Sequence, residues 1–416
     1  MPVDAMPQDR LSSVEEHVGR ILSAIEPLAP YDQPLLEAQG LPVCEDIAAP
    51  MDLPAFDNSA MDGYAVTFAD VATASEERPV HLPVVGEMAA GQTKLFALSP
   101  GTAVRIMTGA PIPQGAEAVV PVEWTDGGAA AVRIFQAPSK GQHVRRRGED
   151  VRTGDVLLED GAILGPRQLG LLASVGRAQV SSRPRPRVVI MSTGSELREP
   201  GTPLGHDSIY DANSYMLAAA ARAAGAIAYR VPIVTDDPDQ FSDALSDQLV
   251  RADLVVTSGG VSKGAYDVVK EVLSELGTVT FGEVAMQPGK PQGFGMVGED
   301  STPIFTLPGN PVSSYVSFEV FVVPAIRRMM GRLPYRRPLV RAVVDTGFSS
   351  APERRQFVRA RFEIDKGGAH VAPVGGHGSH LMGDLSEANA LIVVPEDVTR
   401  VPPGSQVQVL VLDRDF

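Results

Sequence analysis

From residue 188 onward one unit recurs three times: a short apolar run, a turn of small residues, and a stretch with helical periodicity. Residues 188–191 lead into Ser192-Thr193-Gly194, residues 254–257 into Ser258-Gly259-Gly260, and residues 303–306 into Leu307-Pro308-Gly309-Asn310-Pro311. The helical partners are an Ala-rich stretch at 212–224 closed by Gly225, a stretch at 267–276 with Val268, Val269, Val272, Leu273 and Leu276 on one face, and a run from Pro311 through Met330. This alternation is the signature of a parallel sheet covered by helices. In open parallel sheets ligands sit beyond the carboxyl ends of the strands. The loops 192–196, 258–267 and 307–311 leave such ends. Their free backbone N–H groups, with the helix dipoles, suit an anionic phosphate, and Lys263 and Lys290 add positive charge. One such loop alone would read as a tight turn; three at one edge favour an anion site.

Other sites are excluded by pattern. No G-x-x-x-x-G-K-[ST] occurs, so phosphoryl transfer by a P-loop is unsupported. Gly293 to Gly298 matches G-x-G-x-x-G, but Glu299-Asp300-Ser301-Thr302-Pro303 follows, a turn where a dinucleotide site needs a helix. No G-x-S-x-G elbow supports a Ser-His-Asp triad. His377-Gly378-Ser379-His380 reads as a flexible non-metal loop in which Ser379 could cap an anion. Cys44 is the single cysteine, so no intrachain disulfide or Cys-cluster metal site forms; it reads as a buried small apolar residue in a reducing, cytosolic protein. Among the loop carboxylates Asp57, Asp62, Glu149, Asp150, Glu196, Asp236, Asp237 and Asp267, local readings compete with chemical ones. Asp236-Asp237-Pro238 begins a helix, Asp62-Gly63 is a turn, and Asp267 caps the helix it starts. Alternatively, Glu196 and Asp267 at the sheet's edge share a hard cation such as Mg²⁺ on phosphate oxygens.

The remaining chain is mostly β in texture. Residues 11–28 are helical, with Ser12 and Ser13 available as caps and Pro27, Pro30 and Pro34 stopping the run. From about 48 to 142, short apolar runs alternate with Gly and Pro clusters, an all-β unit with a hairpin turn at Gly127-Gly128. Arg145-Arg146-Arg147 leads into Gly148-Glu149-Asp150, and 181–187 reads as a linker or boundary strand. The tail from 339 returns to alternation, at Val358, Ala360, Phe362 and Ile364 and again at Val407, Val409 and Val411, a small closed β-unit. With 36 basic and 51 acidic residues the net charge is −15, which argues against nucleic acid and against a polybasic membrane surface. No secretory signal is read, since residues 1–10 show no basic region followed by an apolar run, and no spanning segment, since the apolar run 318–326 is short and interrupted by Glu319 and Pro324.

Taken in order, the motifs resemble those of the MoeA family, the molybdopterin molybdenumtransferases related to the gephyrin E domain. They are Phe56-Asp57-Asn58-Ser59-Ala60-Met61-Asp62-Gly63-Tyr64-Ala65, Arg105-Ile106-Met107-Thr108-Gly109-Ala110-Pro111, Arg146-Arg147-Gly148-Glu149-Asp150, Ser192-Thr193-Gly194, residues 257–263, Pro288-Gly289-Lys290-Pro291, residues 307–311 and Gly378-Ser379-His380. The resemblance implies a mixed α/β and β multidomain chain. Its parts are a central α/β molybdopterin-binding domain like that of MogA and MoaB (183–331), an all-β domain (48–147), a linking domain (1–47 with 148–182) and a C-terminal β-barrel-like domain (332–416). It implies insertion of molybdenum from molybdate into adenylylated molybdopterin with release of AMP, assisted by Mg²⁺, in a cytoplasmic homodimer. Transient contacts with a MogA-like adenylyltransferase and with apo-molybdoenzymes follow from that role; nucleic acid and membrane do not.

The implied site lies between the α/β domain of one subunit and the all-β domain of the other, so that Asp62, Thr108 and Asp150 oppose Glu196, Asp237 and Asp267 as the catalytic set. Glu196 and Asp267 would hold the metal. Substrate contacts would come from Thr193, Gly194, Ser258, Gly259, Gly260, Lys263, Lys290, Pro308, Gly309, Asn310, Arg359 and Ser379. Molybdate is a dianion that needs donors such as Lys290, Arg359 and Ser379, and its oxo groups must leave as water, which gives acids a use. Two departures stand out: Gln287 where many relatives carry Lys, for which Lys263 compensates, and Ser195 where Asp is common. A molybdopterin-binding scaffold and a MogA-like adenylyltransferase are the alternative functions.

Overall fold

The structure, a computed structural model, describes residues 11–91, 97–259, 268–276 and 278–416. The chain divides into two compact units: residues 33–180, and the residues up to 32 together with 181–416.

In the 33–180 unit, five strands run in the order Ala118–Pro121, Gly63–Val66, Ala103–Ile106, Val80–Met88, Ala131–Ile134. Gly63–Val66 is buried at every position because both sheet faces are covered. Tyr64, Val66 and Val120 pack on one side, and Ala65, Val104 and Val119 on the other. The Gly127-Gly128 turn is present, but it does not join sheet neighbours as expected. The runs flanking it, Ala118–Pro121 and Ala131–Ile134, end at opposite edges of the sheet. The turn instead folds Trp124 and Asp126 onto Phe135 and Arg133. Asp62-Gly63 is likewise no simple turn, since Gly63 opens a strand and a Cβ there would lie 2.0 Å from the Val120 carbonyl oxygen. A second small core gathers Ala38, Val43, Ile47, Leu158, Leu164 and Leu172 beneath the helix Pro166–Ser174. Cys44 is half-buried, not buried as its residue type suggested.

The other unit is built on a six-stranded sheet ordered Ile227–Arg230, Arg187–Ser192, Leu254–Ser258, Thr302–Leu307, Pro291–Val297, Val279–Glu283. The first four are parallel and the last two form an antiparallel extension. Gly293 and Gly295 fall inside this extension, which accounts for the G-x-G-x-x-G match without a cofactor. A Cβ on Gly295 would lie 2.2 Å from the Thr278 carbonyl oxygen. Helices Asn213–Ala223, Pro238–Leu249 and Val268–Glu275 cover the sheet. The long apolar helix from Pro311 is three pieces, Pro311–Ser317, a π turn at Phe318–Val322 and Val323–Met329, with Pro324 just after the π turn. The N-terminal helix Val14–Ala24 belongs to this unit. Ser13 closes a capping box with Glu16, and His17 stacks edge-on against Phe321 at 4.7 Å.

The C-terminal strands Leu339–Val344, Arg355–Asp365, Gly368–Pro373, Ala390–Val394 and Gln406–Val411 close into a five-stranded barrel. Closure follows because Arg355–Asp365 pairs with both Gly368–Pro373 and Ala390–Val394. The alternating Ala360, Phe362, Val409 and Val411 fill it, whereas Ile364, at the end of the same alternation, projects to solvent. The short strand Met286–Gln287 adds to the barrel alongside Arg355 and Gln356.

Candidate functional site

Register decides where the three loops go. Ser192 pairs with Ser258 and Ser258 with Leu307, so the loops leave the sheet at one level. They then pack backbone to backbone. Thr193 N–H donates to Ser258 O at 3.4 Å, Gly194 N–H to Val234 O at 3.2 Å and Gly259 N–H to Leu307 O at 3.2 Å, so these N–H groups, expected to be free for an anion, are spent on joining the loops. Gly259, at φ +100°, lies where a Cβ would meet Thr193 O at 3.0 Å, and a Cβ on Gly309 would touch Gly259 Cα at 3.7 Å. Only glycine provides both this backbone conformation and this approach. Thr193, Gly194, Ser258, Gly259, Pro308 and Gly309 therefore form one small-residue floor at the carboxyl edge. Asn310 caps the helix Pro311–Ser317 from its rim without a side-chain bond to the backbone. Gly260, Lys263 and Asp267 lie outside the described residues.

The carboxylates on this edge have distinct partners. Glu196 is exposed and folds back over Gly194, whose Cβ would fall 2.6 Å from its carboxylate. Asp236 accepts from Ser195 N–H at 2.8 Å and so pins the first loop. Asp237 is the N-cap of Pro238–Leu249, accepting from Gln240 N–H at 2.9 Å through one oxygen. The local reading of Asp237 as a cap thus holds, and its catalytic assignment concerns the other oxygen.

Lys290, Arg359 and Ser379 lie in the same unit, around the junction of sheet and barrel. Lys290 Nζ pairs with Glu283 at 2.7 Å. Arg359 is 4% exposed. It donates to the carbonyls of Leu381, at 2.9 Å, and Gly376, and lies 3.7 Å from Asp384. It therefore shapes the loop carrying Ser379 besides lending charge. Val312 N–H donates to Ser379 O at 3.0 Å, joining that loop to the end of 307–311. Gln287, Pro288, Gln356 and Arg359 help line a small cavity of about 30 Å³.

In the 33–180 unit, Thr108 donates to one Asp62 oxygen through both its N–H at 2.6 Å and its hydroxyl at 2.8 Å. These bonds hold the Asp62 carboxyl below the usual carboxylate range. Asp150 is exposed at the end of a loop held from behind. Asp57 accepts from Arg146 at 2.6 Å and from Arg147 N–H at 2.8 Å. Asp52 accepts from Arg147 at 2.5 Å and from the N–H and hydroxyl of Thr153, each at 2.8 Å. The Thr153 bonds lead in bringing the Asp52 carboxyl down to about 2. Sequence reasoning missed Asp52, Asp211 and Asn213. For Asp52 no local signal existed, because its partners lie about a hundred residues away. For Asp211 and Asn213 the polar cluster before an Ala-rich helix was a usable signal.

Among the described residues no three His, Cys, Asp or Glu side chains cluster as metal ligands. No helix among them is long and apolar enough to cross a membrane.

Three stretches match known family profiles. Residues 12–176 match the MoeA N-terminal region (domain I and II), 189–328 a probable molybdopterin binding domain, and 341–412 the MoeA C-terminal region (domain IV). The chain is 47% identical over 405 residues to molybdopterin molybdenumtransferase 2 of Mycobacterium tuberculosis, covering 96% of this chain and 99% of that protein. It is 37% identical over 378 residues to the molybdopterin molybdenumtransferase of Haemophilus influenzae, covering 90% and 92%. The crystal structure of a molybdopterin biosynthesis MoeA protein from Pyrococcus horikosii superposes with a TM-score of 0.81 at 31% identity, covering 98% of this chain and 100% of that one.

Proposed function

The chain belongs to the MoeA family, and from that premise we propose that it is a molybdopterin molybdenumtransferase. It inserts molybdenum from molybdate into adenylylated molybdopterin and releases AMP. The observation that carries the reading is the level convergence of three small-residue loops at the carboxyl edge of a parallel sheet. Such an edge, packed from small residues, lets an anionic ligand approach the ends of the strands closely. The near-full-length identity to curated molybdenumtransferases favours this reading over a scaffold or an adenylyltransferase.

In this reading Thr193, Gly194, Ser258, Gly259, Gly260, Lys263, Pro308, Gly309 and Asn310 hold the adenylylated pterin. Lys290, Arg359 and Ser379 receive molybdate, and of the three Arg359 lines the small cavity. Asp62, Thr108, Asp150, Glu196, Asp237 and Asp267 make up the catalytic set, positioning water and supplying or accepting protons as oxo groups depart. Glu196 and Asp267 are hard oxygen donors and fit Mg²⁺, which would screen the phosphate charge when bound. We also propose a cytoplasmic homodimer, in which the Asp62 wall is supplied by the second copy, and the four-domain division 1–47 with 148–182, 48–147, 183–331 and 332–416. Brief contacts with a MogA-like adenylyltransferase and apo-molybdoenzymes complete the proposal.

The test is direct. Purified protein, adenylylated molybdopterin, Mg²⁺ and molybdate should yield AMP and a cofactor that activates an apo-molybdoenzyme. Protein that releases no AMP and reconstitutes no enzyme sinks the proposal; ATP-dependent adenylylation of molybdopterin would favour the adenylyltransferase.

A further inference from the structure

We propose that Asn213 is a positioning residue for substrate binding, and that the segment 211–214 sets the mutual arrangement of all three sheet-edge loops. The inference rests on the sheet edge being the site of the adenylylated substrate.

Asn213 is the first residue of the helix Asn213–Ala223. Its Nδ2 donates to Ser258 Oγ at 2.7 Å and to Gly309 O at 2.7 Å. A carbonyl oxygen only accepts, so the amide nitrogen must face Gly309 and the side chain has one usable orientation. One nitrogen thereby ties the second loop to the third. Its Oδ1 is buried and has no hydrogen-bond partner among the described residues.

Two residues earlier, Asp211 is 2% exposed. It accepts from Ser192 Oγ at 3.0 Å, from Ser214 N–H at 3.0 Å and from Ser214 Oγ at 2.5 Å. Arg230, 3.8 Å from Asp211, balances the charge and donates to Ser214 Oγ at 2.7 Å. Ser192 ends the first strand, immediately before Thr193 and Gly194. Asp211 therefore holds the first loop and Asn213 the other two, from one short turn. A ligand binds well to a set of loops only when their arrangement precedes binding, since ordering them on binding costs affinity. Removing the tie should leave the fold and loosen the loops.

The experiment measures steady-state AMP release from adenylylated molybdopterin, with Mg²⁺ and molybdate, together with thermal melting. In Asn213→Ala the KM should rise roughly 10- to 100-fold, with kcat falling less and the melting midpoint nearly unchanged. Asn213→Leu, which keeps the side chain's shape but removes the donor to Ser258 Oγ and Gly309 O, should give a KM rise of the same order. Unchanged KM in Asn213→Ala overturns the inference, as does activity lost only in proportion to folded protein. Should Asn213→Ala fail to fold, Asn213→Leu decides alone, and a wild-type KM there overturns it. Wild-type protein inactive in the same assay would instead sink the functional proposal.

Discussion

Asp62 is held at one oxygen by two donors from Thr108 and keeps the other toward solvent, which suits an acid that must stay ionised and fixed. Asp62→Asn keeps an acceptor for both Thr108 donors while removing the charge. In the proposed reaction AMP release should fall by about 10²-fold or more with melting unchanged; full activity would remove Asp62 from the catalytic set. Its neighbour tests a different property. A Cβ at Gly63 would sit 2.0 Å from Val120 O inside the sheet, and backbone cannot give way there. Gly63→Ala should cost roughly 1–3 kcal/mol or more in denaturant unfolding. The sequence pair Asp62-Gly63 looks like a turn because glycine most often serves conformation. Here it serves close approach, and which backbone will approach is decided by a strand some sixty residues away. The same limit hid Asp52, whereas the motif carrying Asp62 and Thr108 was legible.

Elements were more readable than their edges. Ser13, Pro238 and Gly225 do as capping chemistry dictates, and the parallel strands appear where apolar runs precede small residues. The antiparallel extension and the π turn at Phe318–Val322 were not readable, since both arise from packing rather than local preference. Packing also explains His17, which a helical wheel only marks as a polar residue on an apolar face. It is 1% exposed against Phe321, and burial, aided by Arg20, pushes its pKa down to about 3. The folded state therefore keeps it neutral while the unfolded chain protonates near 6.5. Its contribution is fully present above that value and is lost as pH falls through the window from about 6.5 toward about 3. The melting midpoint of the wild type should drop across this window more steeply than that of His17→Phe. Parallel curves would show that His17 does not titrate this way.

At the scale of the whole molecule, charge was the first thing legible and the least specific. One buried pair shows why placement matters more than total. Arg337 lies 3.3 Å from Glu319 on the π turn and donates to Val411 O at 3.0 Å and Arg414 O at 2.6 Å, fastening the barrel's last strand to the helix. Burial raises the Glu319 carboxyl against the opposing pull of Arg337. Arg337→Ala strands that carboxylate, so about 3–5 kcal/mol should be lost near pH 8. A raised folded pKa favours the protonated form, so the deficit relative to wild type should shrink as pH falls toward 5; a constant deficit would mean Glu319 stays charged. The net charge of −15 poses the larger question, because the proposed substrate is itself an anion. Local cations answer only in part: Lys290 is paired with Glu283, and Arg359 is committed to carbonyls and Asp384. Lys290 and Arg359 thus offer little long-range attraction, and in the proposed reading binding leans on short-range contacts at the sheet edge and on Mg²⁺. Screening weakens repulsion between like charges just as it weakens attraction. The KM for adenylylated molybdopterin, at fixed Mg²⁺, should stay flat or fall by up to about twofold as KCl rises from roughly 20 to 200 mM. A basic steering surface would make it climb steeply over the same range, and that result would place the substrate away from the acidic walls proposed for it.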